Sequence, residues 1–376
     1  TRSLAKRYRD AKRADKQRIL EEFMAATGYH RKYAIGLLND PPPLRTEPIQ
    51  RPRARRYDQP VQSALVRLWE VAGRVCAKRL VPFLPTLIES LEHHGHLQLP
   101  EEVRERLLTI SPATADRLLG QVRGSRGGIS TTRPGALLKH QIPLRSFADW
   151  DDLQPGFFEA DLVAHCGSQN KGSYLNTLVL TDVASGWVEC AALLVREQTV
   201  VVQALRVIAQ RLPILLRGLD TDNGGEFINA TLIAYCDQAG ITFTRCRPYK
   251  KNDQCFVEQK NGAVVRRWIG YDRFEGATTC TLLSQLYERL RAYLNFFQPS
   301  LKLLTKTRNG AHVHKTYDDA QTPCQRLLAS PDVDETAKAV LRGQFQHLDP
   351  GRLLSQIEEL QDALWQQAQF KSPVSI

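Results

Sequence analysis

The hydrophobic period of the chain changes near residue 150, and this change limits the possible folds more than any other feature. Segments 156–165, 174–182 and 186–194 read as strands, and 199–211 has helical spacing. A strand at 214–219, a helix at 225–239, a strand at 241–246 and a helix over about 254–268 follow. Three strands in a meander, then alternating helix and strand, specify a mixed five-stranded sheet flanked by helices.

The preceding residues are helical and basic. Ile19, Leu20, Phe23 and Met24 recur at helical spacing up to a stop at Gly28, and a second short helix runs over 29–38. Residues 1–40 therefore form a helix-turn-helix outline, with Arg31 and Lys32 starting its second helix where DNA-contacting side chains belong. Residues 41–60 are a Pro/Arg-rich linker whose Arg53 and Arg55 can follow a phosphate backbone. Residues 61–123 return to helical periodicity as a second helix-turn-helix-like domain. There Ser111 caps a helix beginning at Pro112, expected to bury Ala115, Leu118, Leu119 and Val122 and to present Arg117. A Gly/Ser-rich linker, 124–147, leads to a core at 148–298.

Residues 299–376 carry Asn309-Gly310 between basic runs that include Lys306 and Arg308, a hairpin signal on strands suited to phosphate contact. The apolar stripe Leu353, Leu354, Ile357, Leu360, Leu364 and Trp365 marks a final helix for packing or oligomerisation.

The 51 Lys/Arg exceed the 40 Asp/Glu, giving a net charge of +11, and residues 1–58 hold 15 of the bases against 7 acids. An acidic polymer is the expected partner. The eight cysteines contain no C-x-x-C pair, which argues against a disulfide framework or zinc knuckle. No apolar run reaches bilayer length, and the first twenty residues are charged throughout, so a cytoplasmic, nucleoid-associated location without membrane contact is expected.

Among the acids, Asp161 lies in the first strand, Asp222 follows the strand at 214–219, and Glu258 begins the helix after a polar, basic loop. Two divalent ions need such anionic oxygen ligands, one of them shared. Glu159 shares a strand face with Asp161, and position alone does not choose between them. Tyr249, Lys250, Lys251, Lys260, Arg266 and Arg267 surround Glu258 in sequence as candidate DNA contacts.

Asp161 in an apolar strand, Thr221-Asp222-Asn223-Gly224-Gly225-Glu226-Phe227, and the run from Pro248 through Glu258 to Asn261, with 35 residues between Asp222 and Glu258, resemble the integrase core of retroviral integrases and bacterial insertion-sequence transposases. The resemblance, over about residues 150–300, implies a ribonuclease-H-like α/β fold with N-terminal all-α helix-turn-helix domains and a C-terminal hairpin and helical region. It implies that Asp161 bridges two Mg2+ ions, with Mn2+ as a substitute, that Asp222 serves one ion and Glu258 the other, and that Asn223, Tyr249, Lys260 and Asn261 either support these ligands or contact DNA. The implied activity is 3′-end cleavage and strand transfer on double-stranded DNA, transposon ends and target, by a homo-oligomer. A same-fold nuclease that cleaves without joining and a DNA-binding regulator with an inactive core are the alternatives. The retroviral His/His/Cys/Cys zinc module has no counterpart, so helix-turn-helix elements are expected to replace it.

Overall fold

The structure, a computed structural model, describes residues 2–41, 56–120, 122, 144–145, 154–222, 224–246, 255–309 and 312–369. The chain divides into two compact units, residues 1–55 and 56–376.

In the first unit, α1 (Arg2–Asp10), α2 (Arg13–Thr27) and α3 (Arg31–Asn39) surround Ala5, Tyr8, Ile19, Leu20, Phe23, Ala34 and Leu38. Gly28, at φ 69°, ends α2 by donating its N–H to Met24 O. That left-handed conformation favours glycine. Sequence periodicity finds α2 and α3 but misses α1, where, among the described residues, Ala5 and Tyr8 are buried and Leu4 packs beside them amid charge. Arg31 and Lys32 are exposed on the first turn of α3.

The second unit begins with α4 (Gln59–Val71), α5 (Ala77–His93), α6 (Glu101–Leu108) and α7 (Pro112–Leu119). Ser111 caps α7 as expected, accepting from Thr114 N. Ala115 and Leu119 are buried and Leu118 packs against them, but α7 stops at Leu119 and leaves Val122 47% exposed, contrary to expectation. One hydrophobic core runs from these helices through the sheet to the C-terminal helix, so segments 61–123, 148–298 and 299–376 pack as one body.

The sheet comprises β1 (Leu144–Arg145), β2 (Phe157–Ala164), β3 (Asn176–Asp182), β4 (Val188–Leu193), β5 (Gly218–Thr221) and β6 (Thr242–Cys246), in the order β1-β6-β5-β2-β3-β4. The short β1, parallel to β6, adds an edge to the five expected strands. β2, β3 and β4 form the antiparallel meander, while β5 and β6 run parallel to β2. α8 (Gln198–Arg211) and α9 (Ala230–Ala239) flank it. β5 starts four residues later than expected and Leu215 is 74% exposed. Gly218 enables the close pairing, because a Cβ there would lie 2.3 Å from the Phe157 ring. α9 starts at Asn229, whose side chain accepts from Leu232 N, rather than at Gly225.

α10 (Cys255–Lys260) continues into a π-helical turn, Asn261–Arg266. α11 (Ala277–Phe297) then packs on β4 and on α14 (Pro350–Gln366). The stripe on α14 is consumed in this packing: Leu353, Ile357 and Leu364 are buried, and Leu354 and Leu360 pack against them. Trp365, the last residue of the stripe, stays 39% exposed. Between α11 and α14 lie the strands β7 (Leu303–Asn309) and β8 (His312–Tyr317), then α12 (Pro323–Ala329) and α13 (Glu335–His347).

Buried Asn295 of α11 imitates a neighbouring strand. Its Oδ1 accepts from Val188 N and its Nδ2 donates to Val188 O, both at 2.8 Å. Asn295→Leu strands two backbone groups in the core, so thermal and urea unfolding are expected to show a loss of about 2–5 kcal/mol.

Candidate functional site

The carboxyl ends of β2, β5 and β6 open on one edge of the sheet, where open α/β sheets place their sites. In the parallel pairing Glu159 stands opposite Asp220 and Ala160 opposite Thr221. Strand alternation therefore stacks two acidic rungs, Glu159 with Asp220 and, one step nearer the edge, Asp161 with Asp222.

The inner rung is buried. Glu159 Oε2 accepts from Val257 N at 2.8 Å, and Asp220 Oδ1 accepts from Thr244 Oγ1 at 2.6 Å. Burial first, then the charge of Asp220, raises Glu159 to about 8. The outer rung is half-buried. Asp161 Oδ1 accepts from Leu162 N at 2.7 Å and its Oδ2 from Asn261 Nδ2 at 2.6 Å, while Asp222 Oδ1 accepts from Gly224 N at 2.8 Å. Burial, the charge of Asp222 and, more weakly, that of Glu258 raise Asp161 to about 7.

The ambiguity between Glu159 and Asp161 thus resolves into two structural positions. Glu159 binds the backbone just before Glu258, whereas Asp161 stands at the open edge beside Asp222. Glu258 is exposed on the first turn of α10. Consecutive same-face residues of β2 therefore grip consecutive turns of one helix, through Val257 and Asn261. The π turn sets the position of Asn261 on that helix. Its Oδ1 is buried without a partner among the described residues.

Metal ligation requires further approach. Among the described residues no three His, Cys, Asp or Glu side chains are drawn together closely enough to hold an ion. The donor set nevertheless fits one, because oxygen ligands suit Mg2+ and a cation would relieve the repulsion that raises Asp161. His165, four residues beyond Asp161, is a packing residue: its Nε2 lies 2.7 Å from Thr177 Oγ1, and burial lowers it to about 3.

Several candidate DNA contacts have other partners. Arg266 donates to Ala164 O and Gly270 O, and Arg267 to Gly73 O. Lys260 is half-buried, and burial first, then Arg326 and Arg79, lowers its ammonium to about 8. Arg266 and Arg267 are thus bonded to the chain's own backbone, and Lys260 is half-buried. Arg117 bonds Ala113 O and Thr114 Oγ1 on its own helix, and Arg31 bonds Gln17 Oε1. Arg53, Arg55, Asn223, Tyr249, Lys250 and Lys251 lie outside the described residues, as do the side chains of Lys306 and Arg308.

Arg273 was not apparent from sequence. It donates to the carbonyls of Cys166, Gln169, Lys171 and Ser173 and shapes the loop leaving β2. No local motif announces a contact spanning a hundred residues.

Residues 153–251 match the integrase core domain. The chain is 47% identical over 326 residues to an uncharacterized protein, y4rM, of Sinorhizobium fredii, covering 86% of this chain and 93% of that protein. The catalytic core domain of BIV integrase, a crystal structure, is 21% identical, covers 37% of this chain and 70% of its own, and gives a TM-score of 0.24. With its ribonuclease-H-like sheet and the acids at that sheet's open edge, the chain belongs to the integrase-core family of transposase-like proteins.

Proposed function

We propose that this protein is a DNA transposase that cleaves the 3′ ends of an element and transfers them to target DNA. The observation that carries the reading is the closeness of Asp161 on β2 to Asp222, one residue beyond the neighbouring parallel strand β5, with Glu258 on a helix bonded to the same strand β2. In this reading Asp161 is the shared ligand of two Mg2+ ions, Asp222 serves one and Glu258 the other. Bound there, the ions supply activation of the attacking oxygen and stabilisation of the leaving 3′ oxygen. Asn261 holds Asp161 in orientation, and Glu159 holds the first turn of α10 so that Glu258 faces the strand ends. Arg31 and Lys32, exposed on α3, recognise the element's ends, and joining two ends requires a homo-oligomer. Among the described residues no helix is long and apolar enough to cross a membrane, and action on bacterial DNA places the protein at the nucleoid.

The test is Mg2+-dependent cleavage and joining of labelled DNA bearing the element's own ends. Glu258→Gln is expected to bind those ends and to lose more than about a hundredfold in rate, because loss of mere supporting groups around a metal already costs 10–100-fold. Cleavage without joined products identifies a nuclease, and end binding by the native chain without reaction identifies a regulator.

Glu159→Gln keeps an acceptor for Val257 N, whereas Glu159→Ala removes it. The alanine variant is expected to lose cleavage rate at unchanged end affinity, and the glutamine variant to recover most of it. Equal losses in both would refute the positioning role.

The raised Asp161 gives a pH test. Its unfolded value is 3.8 and its folded value about 7, so the folded chain holds the proton more tightly across that interval. The contribution is fully stabilising below pH 4 and is lost as pH rises through 7. In metal-free buffer the melting temperature is expected to fall between pH 5 and 8, Mg2+ to restore part of it at pH 8, and Asp161→Asn to blunt both responses.

A further inference from the structure

An edge that brings DNA phosphates to Asp161 and Asp222 must overcome the repulsion of its own carboxyls. A cation at that edge with donors to spare would do so. Arg266 and Arg273 do not qualify, because their guanidiniums are engaged by backbone carbonyls.

Arg196 is placed differently. It stands three residues beyond β4, and in the meander Leu193 lies opposite Asn176 of β3, which lies opposite Ala164 of β2. The segment leaving β4 therefore starts at the sheet edge on which Asp161 opens. Arg196 Nη2 donates to Tyr174 Oη at 3.1 Å, and Nη1 lies 3.9 Å from Glu226 Oε1. Each partner belongs to a different loop of that edge: Tyr174 leads into β3, and Glu226 follows Asp222.

Both partners are themselves held. The Tyr174 ring lies 5.6 Å from the Arg273 guanidinium, a cation–π distance, and the Tyr174 carbonyl accepts from Asn176 Nδ2 at 3.2 Å. The Glu226 carbonyl accepts from Asn229 Nδ2 at 2.8 Å. Its carboxyl shares a confined space with that of Asp222, because a Cβ on Gly224 would lie 2.9 Å from both Asp222 Oδ1 and Glu226 Oε2. Arg196 is thus tied to a carboxyl beside a proposed metal ligand.

These ties aim the guanidinium without using it up. Among the described residues its Nη2 hydrogen-bonds Tyr174, whereas the contact with Glu226 is too long for a hydrogen bond, so N–H donors remain for a ligand. The Arg196 side chain is 41% exposed. An ion pair that open is weak, and it gives way to a phosphate, which takes a guanidinium in paired, charge-assisted hydrogen bonds.

We propose that Arg196 binds a backbone phosphate of the DNA next to the bond that reacts, and that Tyr174 and Glu226 are the positioning residues that aim it. This rests on the transposase reading and adds to it a phosphate-binding residue from the loop that leaves β4.

The test uses the full chain and a fluorescein-labelled duplex of about 40 base pairs, roughly four helical turns, ending in the element's own terminal sequence. Affinity is measured in metal-free buffer across a salt series for the native protein, Arg196→Gln, Arg196→Lys and Tyr174→Phe, with circular dichroism to show that each is folded. One lost phosphate contact lowers the log–log salt slope by about 0.9, so Arg196→Gln is expected to show that decrease and Arg196→Lys, which keeps the charge, to retain the native slope. Tyr174→Phe is expected to keep the slope and to lose cleavage rate in kcat, because the charge remains but its aim does not. In a second arm, duplexes each carry one methylphosphonate, a neutral replacement for a phosphate, at successive positions around the cleaved bond. Native protein is expected to lose affinity about tenfold at a position beside that bond, the worth of one charge-assisted hydrogen bond. Arg196→Gln is expected to be indifferent at that position and to match the native losses elsewhere.

An unchanged salt slope in folded Arg196→Gln, or a methylphosphonate profile identical to the native one, overturns the phosphate contact, and a native cleavage rate in Tyr174→Phe overturns the positioning. If Arg196 fails these tests while the native chain still cleaves and joins the element's ends, the transposase reading stands without it. If the native chain neither binds nor cleaves those ends, both readings fall.

Discussion

The carboxyl of Glu159 holds together two pieces of chain 98 residues apart, and the arrangement of the open edge depends on it. Its acceptor role fixes Val257, hence the direction of the first turn of α10, hence where Glu258 can stand relative to β2. A buried charge there would be expensive. Burial beside Asp220 keeps the group protonated near neutral pH, so the helix is docked without placing a permanent anion in the core. Two residues further along, the same strand face reaches solvent, and its next carboxyl is held by an amide from the following turn of the same helix. One strand face thus provides an inner anchor and an outer donor.

Charge is divided accordingly. Of the described cations nearest in sequence to Glu258, Arg266 bonds the carbonyl of Ala164, Arg267 bonds that of Gly73 while remaining exposed, and Lys260 is half-buried. The two arginines tie the helix to β2 and to the end of α4. Described cations exposed to solvent stand on α1, α2, α3 and β8 as well.

The meander and the alternating helices were legible because each element carries its own period, and Asp161, Asp222 and Glu258 could be singled out because the motifs that carry the family resemblance are local in the chain. Asn261 could be listed as a supporting residue, but its partner could not, since that contact depends on a π turn with no residue signature. The start of β5 was misplaced because Ile214 and Leu216 are apolar without being strand, whereas Gly218 pairs for steric reasons that only the Phe157 ring reveals. Glu159 stayed ambiguous because alternation assigns a face and not a depth. α1 was missed because its few apolar residues, Leu4, Ala5 and Tyr8, sit amid charge and give little period.

The C-terminal stripe shows how a correct local reading can leave the larger consequence undecided. Leu353, Ile357 and Leu364 do mark an amphipathic helix, yet they face α11 of the same chain. The polar residues of α14 matter as much: Gln361 donates to Trp268 O, and Trp365 Nε1 to Ile269 O at 3.0 Å. Those carbonyls end the helix that begins at Cys255, and the last carbonyls of a helix need donors from outside it. The helix bearing Glu258 is thereby held at its first turn by β2, at its π turn by Asp161, and at its end by a segment nearly a hundred residues downstream. α14 is thus part of the scaffold that sets the open edge of the sheet.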